Sequence, residues 1–350
     1  MNCDNNRNNM SKFYDGERML SYGKHVNIIM GHRGTGKTCY FVTRAVRRFL
    51  KTGSQTIWVR RYETHFDKDK QDKFFDVSTI PNEQLGSIWY PADTKLEMKG
   101  RTGFCNGKPF IHCVALSRAN KYKSVPFELC PDVVFDEVII DKSQEHYLTR
   151  EFDAWNEFML TVMRLRFDTT RFFLVSNAIS RANPYFVNYK IIDRGKEFSF
   201  DKSKEVLLQN FVSEEIQNEF HSSWYGHLMR GTSYYDYAVG GNFLRDNDKF
   251  IAKRPIRATY RFALIYLGHT FGVWLDGRDG RLYISGDYDP QYPVAYALTR
   301  DDHTINTYLV KNKSSFGHVR ILIQMYQNGD VFFETPEIKA IAEEAILYLC

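Results

Sequence analysis

The sequence has no apolar run of about 18 residues, which is the minimum that a membrane-spanning helix requires. Its six cysteines form no CxxC pair and are too sparse for the disulfide framework of a small secreted domain. It also shows no internal repeat and no low-complexity tract. These absences predict a soluble protein of a reducing compartment, the cytoplasm, that makes no membrane contact.

Size and charge set further bounds on the protein class. With 350 residues, of which 43% are hydrophobic, the chain is large enough for two domains with sizeable cores. The formal net charge of +5 is modest and does not by itself indicate a nucleic-acid partner. The charge is unevenly distributed, however, because residues 41–62 include six basic side chains and no acid.

A glycine-rich loop lies between an apolar segment and a predicted helix. The strand-like run Val26–Met30 precedes the loop, and the predicted helix Lys37–Phe49 follows it. This order is typical of a phosphate-binding loop, in which backbone N–H groups and the helix N-terminus surround the phosphates. The predicted ATP-binding residues are Gly31, His32, Arg33, Gly34, Thr35, Gly36, Lys37 and Thr38. A glycine-rich turn without a ligand is the alternative.

Within this loop, two side chains have specific expected roles. Lys37 is expected to contact the β and γ phosphates, and the Thr38 hydroxyl to bind Mg²⁺. Downstream, the apolar run Val133–Phe135 ends in the adjacent acids Asp136 and Glu137, as in a Walker B strand. We expect Asp136 to hold Mg²⁺ through water and Glu137 to polarise the attacking water. An acid pair that merely faces solvent is the alternative, which the upstream loop disfavours.

The first half of the chain alternates predicted strands and helices. Further strands are predicted at Thr56–Arg60, Phe110–Leu116 and Arg171–Ser176, and a hairpin at 95–109 turns at Asn106-Gly107. The pattern indicates an α/β fold with a mostly parallel sheet that is covered on both faces.

The pattern changes in the second half. An amphipathic helix is predicted at Ser203–Phe220 and a final helix at Pro336–Leu349. Between them, turn residues separate three strand-like segments of a predicted meander: Ala258–Leu267, Thr270–Leu275 and Leu282–Ser285. We therefore divide the chain into an ATPase domain at 1–197, a helical linker at 198–245 and a β-rich domain at 246–350.

Besides the phosphate-binding loop, several segments carry a family resemblance. They are Ile57–Tyr62, Val134–Glu137, Thr161–Arg166, Leu174–Ala178 and Asn183–Phe186. In this order they resemble the DNA-packaging motor ATPases, or encapsidation proteins, of small tailed bacteriophages with protein-primed replication. The resemblance continues through Phe271–Trp274 to Asn328-Gly329 and is most specific in the first half.

The resemblance implies a fold, a reaction and partners. The fold would be a P-loop NTPase of the ASCE type, followed by an RNase H-like domain. The protein would form a homo-oligomeric ring, a pentamer, that hydrolyses ATP with Mg²⁺ and drives double-stranded DNA through a portal into a procapsid. It would act in the host cytoplasm while docked on the procapsid. The resemblance leaves open whether a structural RNA joins motor and portal.

The resemblance also assigns roles to side chains outside the two motifs. By motif position Arg164 matches an arginine finger supplied by a neighbouring subunit, and Lys123 matches a second basic residue between subunits. Ser176 and Asn177 match a polar strand end that binds the attacking water or the γ-phosphate. The alternatives are a salt-bridged helix arginine, a loop lysine and a helix cap. Arg166 is the other candidate for the finger. Because helix residues two positions apart point to different faces, we expect only one of the two arginines to reach the phosphate.

The C-terminal region resembles the RNase H-like nuclease domains of larger packaging motors. Its predicted first strand, Arg261–Leu267, has no acid, whereas that chemistry needs carboxylates that hold two metal ions. We therefore predict no nuclease activity and a grip on DNA that relies on phosphate contacts. Two acid-free clusters supply the candidates: Lys253, Arg254, Arg257 and Arg261, and Lys311, Lys313 and Arg320. A solvated surface is the alternative for each.

Two functions from other classes remain open on the residues. One is an autonomous P-loop enzyme such as a nucleoside kinase, and the other is a nucleotide-gated scaffold protein that hydrolyses slowly. Glu137 beside Asp136, the β-rich C-terminal region and the lack of a lid-like arginine cluster disfavour a kinase. DNA-stimulated ATP turnover would separate the motor from both.

Overall fold

The chain forms two compact units, Met1–Ile179 with Ile191–Leu244 and Ser180–Lys190 with Arg245–Cys350. The structure is a computed structural model that describes residues 12–67, 74–75, 90–91, 93–123, 125–140, 145–164, 166–179, 183–189, 191, 196–201, 203, 205–232, 235, 250–311 and 316–349. Within these ranges, no helix has the length and apolar character needed to cross a membrane. The described cysteines are free thiols: Cys39, Cys105, Cys113 and Cys130.

Nine described strands form the sheet of the first unit, in the order β3-β4-β5-β2-β6-β7-β1-β9-β8. The elements up to residue 229 are α1 (Glu17–Leu20), β1 (Val26–Gly31), α2 (Lys37–Thr52), β2 (Thr56–Arg60), a 3₁₀ helix (Glu63–Phe66), β3 (Leu96–Lys99), β4 (Thr102–Cys105), β5 (Lys108–Ala115), a second 3₁₀ segment (Leu116–Tyr122), β6 (Asp132–Asp136), α3 (Glu151–Met163), β7 (Arg171–Asn177), α4 (Pro184–Tyr189, in the second unit), β8 (Phe198–Phe200), β9 (Val206–Phe211), α5 (Glu214–Ser222) and α6 (Trp224–Met229).

The central strands of this sheet are parallel, as the alternating pattern predicts. The strands β5, β2, β6, β7, β1 and β9 all run the same way, and the antiparallel strands β3, β4 and β8 lie at the edges. All five residues of β6 are buried, and the three between its terminal aspartates are apolar, as expected for a strand with both faces covered. One strand, β7, separates β6 from β1. The carboxyl ends of these three strands therefore meet at one edge.

The predicted helix at Ser203–Phe220 is wrong over its first half. Residues Val206–Phe211 form β9, which pairs in parallel with β1, and the apolar side chains of Val206, Leu207 and Leu208 are buried there. A short apolar run is compatible with either a strand or a helix. Here β1 pairs with β7 on one side only, and the segment forms a strand because it pairs with the other side. The helix begins only at Glu214, where the Ser213 side chain accepts a hydrogen bond from the Ile216 N–H. The sheet thus extends into the segment assigned to the linker.

A second sheet organises the second unit, in the order β14-β13-β10-β11-β12-β15. Its elements are β10 (Thr259–Tyr266), β11 (His269–Asp276), β12 (Arg281–Ser285), β13 (Ala295–Ala297), β14 (Tyr308–Leu309), α7 (Gly317–Asn328), β15 (Val331–Phe333) and α8 (Pro336–Leu349). The predicted antiparallel meander is confirmed in β10, β11 and β12. Strands β13 and β14 continue in parallel from the other side of β10, which is the arrangement of an RNase H-like sheet.

Two helices complete the core of the second unit. Val319 and Leu322 of α7 and Ala342 and Ile346 of α8 are buried in the same apolar cluster as the strands. The bounds of α8 match the prediction, whereas α7 and β15 were not predicted. Apolar side chains on both helices thus make this region a domain core of its own.

Candidate active site

The phosphate-binding loop connects β1 to α2 at the carboxyl end of the parallel strands. Gly34 and Gly36 have φ angles of +80°, a left-handed conformation that residues with a Cβ rarely adopt. A Cβ added at Gly31 would lie 2.8 Å from the carbonyl oxygen of Phe211 in β9. These glycines therefore allow the sharp turn and close packing that place the α2 N-terminus, with its free N–H groups, at the loop.

The Lys37 ammonium lies inside this loop. Its Nζ donates to the carbonyl oxygens of Gly31 and His32 at 3.1 and 2.6 Å, to Thr35 Oγ1 at 3.1 Å and to Asn177 Oδ1 at 3.3 Å. The residue is 6% exposed, and burial lowers its pKa to about 7, against the attraction of the Asp136 carboxylate. An anionic phosphate beside it would favour the charged form.

Asp136 ends β6 beside the first turn of α2. Thr38 Oγ1 donates to Asp136 Oδ1 at 3.3 Å, so the two predicted Mg²⁺ ligands are neighbours. Burial raises the pKa of the Asp136 carboxyl, whereas the Arg60 guanidinium opposes that rise. A hydroxyl and a carboxylate suit Mg²⁺, which takes few protein ligands and keeps several waters beside substrate phosphates. The residues present therefore fit the metal.

Glu137 follows Asp136 in a left-handed conformation, with φ of +58°. Its side chain is 60% exposed, and Arg60 Nη1 donates to its carboxylate at 2.5 Å while Arg60 Nη2 donates to Asp136 Oδ2 at 2.6 Å. A non-glycine residue in this region costs of order 1–3 kcal/mol and is concentrated at functional sites. The left-handed backbone therefore gives Glu137 an exposed position next to a buried acid.

The polar end of β7 contributes two different contacts. Asn177 Oδ1 accepts from Lys37, as given above, so this amide lies at the phosphate-binding loop. Ser176 Oγ instead bonds the backbone of the loop after β6, donating to the Ile139 carbonyl and accepting from the Ile139 N–H, both at 3.2 Å. Of the predicted pair, the Asn177 amide bonds Lys37, whereas the Ser176 hydroxyl bonds the backbone of the segment that follows β6.

These residues enclose one cleft of about 320 Å³. It is lined by Arg33, Gly34, Thr35, Gly36, Lys37, Thr38, Cys39, Asp136, Glu137, Val175, Ser176 and Asn177. The predicted residues Gly31 and His32 do not line it. His32 is 2% exposed and lies beside Gln217 of α5, with 3.3 Å between the two Nε2 atoms.

Arg164 and Lys123 lie together on the surface, and neither lines the cleft. Arg164 Nη2 donates to the Lys123 carbonyl oxygen at 2.8 Å, although the two are 41 residues apart in sequence. Arg164 is exposed and forms the C-cap of α3, with φ of +39°, so it does not lie within a helix as the sequence suggested. Lys123 Nζ is 3.9 Å from Glu157 Oε2.

Arg166 has a different environment from Arg164. Its guanidinium donates to carbonyl oxygens at the end of α3 and in the 127–128 segment: Val162 at 2.6 Å, Glu128 at 2.6 Å and Phe127 at 2.9 Å. Arg166 therefore closes the helix end and holds the neighbouring segment. This leaves Arg164 as the arginine of the pair that presents its side chain at the surface.

The two arginines at the end of β2 point in opposite directions, as strand alternation predicts. Arg60 holds the two acids of the cleft, a role that the sequence left unassigned. Arg61 is 1% exposed and pairs with the buried Glu151 at 2.7 and 2.9 Å. The sequence offered no signal for either contact, because both depend on the order of strands and helices.

The predicted DNA-binding residues of the second unit are only in part available to a ligand. Arg257 bonds Asp276 at 2.7 and 3.0 Å and Asp279 at 3.2 Å, and Arg254 lies 3.9 Å over the Trp274 ring beside Asp287. Lys253, Arg261, Lys311 and Arg320 are exposed. Lys313 lies outside the described residues.

Acids of the second unit serve its own backbone in several turns. Asp302 accepts from the N–H groups of Leu267 and Gly268 at 2.8 and 2.7 Å, and Asp276 accepts from the Arg278 N–H at 3.1 Å. In the described part of the chain, no group of three or more His, Cys, Asp or Glu side chains could hold a metal ion. The contacts of Asp302 and Asp276 with turn backbone are typical of Asp.

Comparison with known proteins places this chain in a family. A family model described as podovirus DNA encapsidation protein (Gp16) matches residues 8–348. The chain belongs to this encapsidation protein family. The DNA packaging protein of Bacillus phage phi29 is 33% identical over 336 residues, which cover 95% of this encapsidation protein and 97% of that relative.

Solved structures extend the similarity to the fold. A structure of the bacteriophage phi29 viral genome packaging motor assembly matches with a TM-score of 0.73 and 31% identity, over 97% of this encapsidation protein and 100% of that chain. A structure of the phi28 gp11 DNA packaging motor matches with a TM-score of 0.67 and 18% identity, over 97% and 98% of the two chains. At this lower identity the likeness concerns the fold alone.

Proposed function

We propose that this encapsidation protein hydrolyses ATP with Mg²⁺ and uses the reaction to move double-stranded DNA into a procapsid. The observation that carries the proposal is one cleft that joins Lys37, Thr38, Asp136, Glu137 and Asn177 in a chain of a DNA encapsidation family. Its relatives include a DNA packaging protein and a chain of a genome packaging motor.

In the proposed reaction each side chain acts according to its position. Lys37 and the α2 N-terminus would bind the phosphates, and Thr38 and Asp136 would hold Mg²⁺, which would supply positive charge beside the phosphates. Glu137, exposed at the cleft, orients and polarises the attacking water, and Arg60 orients both acids. Asn177, which already bonds Lys37, senses the γ-phosphate.

The catalytic site is completed by a neighbouring subunit in this proposal. Arg164 and Lys123 are exposed, adjacent to each other and absent from the lining of their own cleft. Such side chains suit a ring in which one subunit supplies an arginine finger to the next, an interaction worth about 10³–10⁵ in rate. We infer a ring of five subunits on the portal, in the host cytoplasm, with a structural RNA between motor and portal as an open question.

The second unit is proposed to grip DNA without cutting it. Its exposed lysines Lys253 and Lys311 are the favoured phosphate contacts, since Arg254 and Arg257 are paired with acids. For the domain division we propose an ATPase domain that includes β8 and β9, a helical connection that begins at α5, and the RNase H-like domain from residue 246. A magnesium-dependent nick in supercoiled plasmid would contradict the absence of nuclease activity.

Steady-state ATP turnover with and without random-sequence double-stranded DNA tests the function. We expect stimulation by DNA in the wild type and a rate that rises faster than linearly with protein concentration. Glu137→Gln should lower turnover by about 10²–10⁴ and keep ATP binding, because it removes the base and leaves Lys37, Thr38 and Asp136 in place. Arg164→Ala should lower turnover to a similar extent if neighbours share the site.

Arg150→Ala provides the matched control for Arg164→Ala. Arg150 also has a left-handed backbone at an end of α3, with φ of +54°, and its side chain is 76% exposed. It should keep the wild-type rate. Turnover that ignores DNA and is linear in protein would favour an autonomous P-loop enzyme, and phosphoryl transfer to a small acceptor would favour a kinase.

A further inference from the structure

A buried ion pair links the end of β2 to the start of α3. Arg61 and Glu151 have side chains that are 1% and 0% exposed, and two hydrogen bonds, at 2.7 and 2.9 Å, join the guanidinium to the carboxylate. Glu151 Oε2 also accepts from the Leu148 N–H at 2.9 Å. A bidentate pair of this kind holds both groups in one relative orientation.

The same guanidinium binds the backbone of the catalytic segment. Arg61 Nη1 donates to the Glu137 carbonyl oxygen at 3.3 Å, and Nη2 donates to the Val138 carbonyl oxygen at 2.7 Å. The rings of Phe135 and Tyr147 lie 5.7 and 5.0 Å from the guanidinium carbon. A displacement of the Glu137 backbone therefore acts directly on Arg61 and, through it, on Glu151.

Helix α3 carries the other end of this connection. It begins at Glu151 and ends at Met163, and Arg164 follows as its C-cap, with its N–H donating to the Leu160 carbonyl oxygen at 3.1 Å. Trp155, Phe158 and Val162 bury one face of the helix in the core. At 1.5 Å per residue the helix spans about 20 Å, so Glu151 and Arg164 are the two ends of one rigid element.

We propose that the Arg61–Glu151 pair is a positioning device that couples the catalytic segment of a subunit to the arginine finger that the same subunit offers its neighbour. The inference rests on the proposed role of Arg164 between subunits. Neither Arg61 nor Glu151 touches the reacting atoms. Arg61 acts through the Glu137 backbone and Glu151 through the orientation of α3.

Complementation between two inactive subunits in the assembled motor tests the coupling. The donor subunit carries Glu137→Gln and has an intact finger, whereas the acceptor carries Arg164→Ala and has an intact catalytic site. DNA-stimulated ATP turnover should return in the mixture where a donor's Arg164 completes an acceptor's site. Glu151→Gln is then introduced into the donor alone or into the acceptor alone.

The effect of Glu151→Gln should depend on the subunit that carries it. In the donor we expect restored turnover to fall roughly tenfold or more, since a misplaced finger loses part of its 10³–10⁵ contribution. In the acceptor the change should stay below about threefold, because the finger of that subunit is already absent and Arg61 still donates to the Glu137 and Val138 carbonyl oxygens of its catalytic segment. Arg61→Lys should impair both mixtures, since Arg61 also holds the Glu137 backbone.

Two outcomes of the Glu151→Gln comparison would overturn the inference. Equal losses from Glu151→Gln in donor and acceptor would assign the pair a merely structural role, and no loss in either would assign it none. A base mixture without restored turnover would contradict the shared site of the proposed function itself, and the inference would fall with it.

Asp153→Asn is the matched control in both mixtures. Asp153 lies in the same first turn of α3 but is 54% exposed and pairs with Arg150 at the surface, so its removal should change neither mixture. Thermal unfolding and ATP binding of each Glu151→Gln subunit verify its fold. If that variant unfolds, Glu151→Asp keeps the charge, shortens the side chain and enters the same donor and acceptor comparison.

Discussion

Two arginine–carboxylate pairs, one in each unit of the molecule, lie in different surroundings. In the first unit, Arg61 and Glu151 come from elements 90 residues apart and are both almost fully buried. In the second unit, Arg257 and Asp276 are 19 residues apart, and the arginine side chain is 46% exposed while the carboxylate is 1% exposed. The first pair joins elements through the interior, whereas the second closes a surface turn.

This difference shows that a basic residue of the sequence can form either a buried or an exposed ion pair in the fold. A buried pair costs desolvation that only complete pairing offsets, so such a pair is fixed in geometry and sensitive to loss of either partner. An exposed pair is screened by water and contributes little to stability. The basic residues at the end of β2 therefore connect distant elements of the first unit, whereas those before β10 form local ion pairs or are exposed.

The largest expected contrast concerns stability. Arg61→Ala leaves the Glu151 carboxylate buried without its counter-ion and should lower the free energy of unfolding by about 3–5 kcal/mol. Arg257→Ala should shift the urea midpoint far less, because water replaces its half-exposed side chain at Asp276. Urea unfolding of both variants measures the contrast, and equal shifts would refute it.

DNA binding should distinguish the paired from the exposed basic residues of the second unit. Lys253→Ala with Lys311→Ala should lower the slope of log affinity against log salt by up to about 2, since each phosphate contact contributes roughly 0.9. Arg257→Ala is the matched control and should keep the slope, because its guanidinium already binds Asp276 and Asp279. Fluorescence anisotropy with a random-sequence duplex measures it. A lower slope in Arg257→Ala alone would assign the phosphate contact to Arg257 and not to the two lysines.

The smallest expected effect is a dependence of the second unit on acid. Hydrogen bonds from Arg257 hold the pKa of the Asp276 carboxyl below its usual 3.8, against the opposing effect of burial. A lowered folded-state pKa means that its stabilising contribution is complete above the unfolded value and is lost as the pH falls through the folded value. Between pH 5 and pH 2, roughly the range in which carboxylates titrate, the unfolding temperature should therefore fall less steeply for Arg257→Ala than for the wild type. A steeper fall in the variant would contradict this sign.

The candidate site was predictable where it is contiguous in sequence. The loop Gly31–Thr38 and the acids at the end of β6 were identified from residue types and their flanking strands, and the cleft brings most of them together. Arg60 was missed as a partner of Asp136, because the strand order that places β2 beside β6 does not follow from the spacing along the chain. The choice between Arg164 and Arg166 likewise depended on the structure at the end of α3, where Arg166 binds carbonyl oxygens.

By itself the sequence determined the chemistry of the phosphate-binding loop, the acid pair, the parallel α/β class and the antiparallel meander. These are local properties, set by backbone preferences and the periodicity of apolar residues over a few positions. Only the tertiary structure decided that Val206–Phe211 joins the sheet, that Arg61 is buried on Glu151 and that Arg257 is paired with Asp276. The physical reason is that strand pairing and ion pairing depend on which surfaces meet after folding, and residues distant in sequence supply the partners.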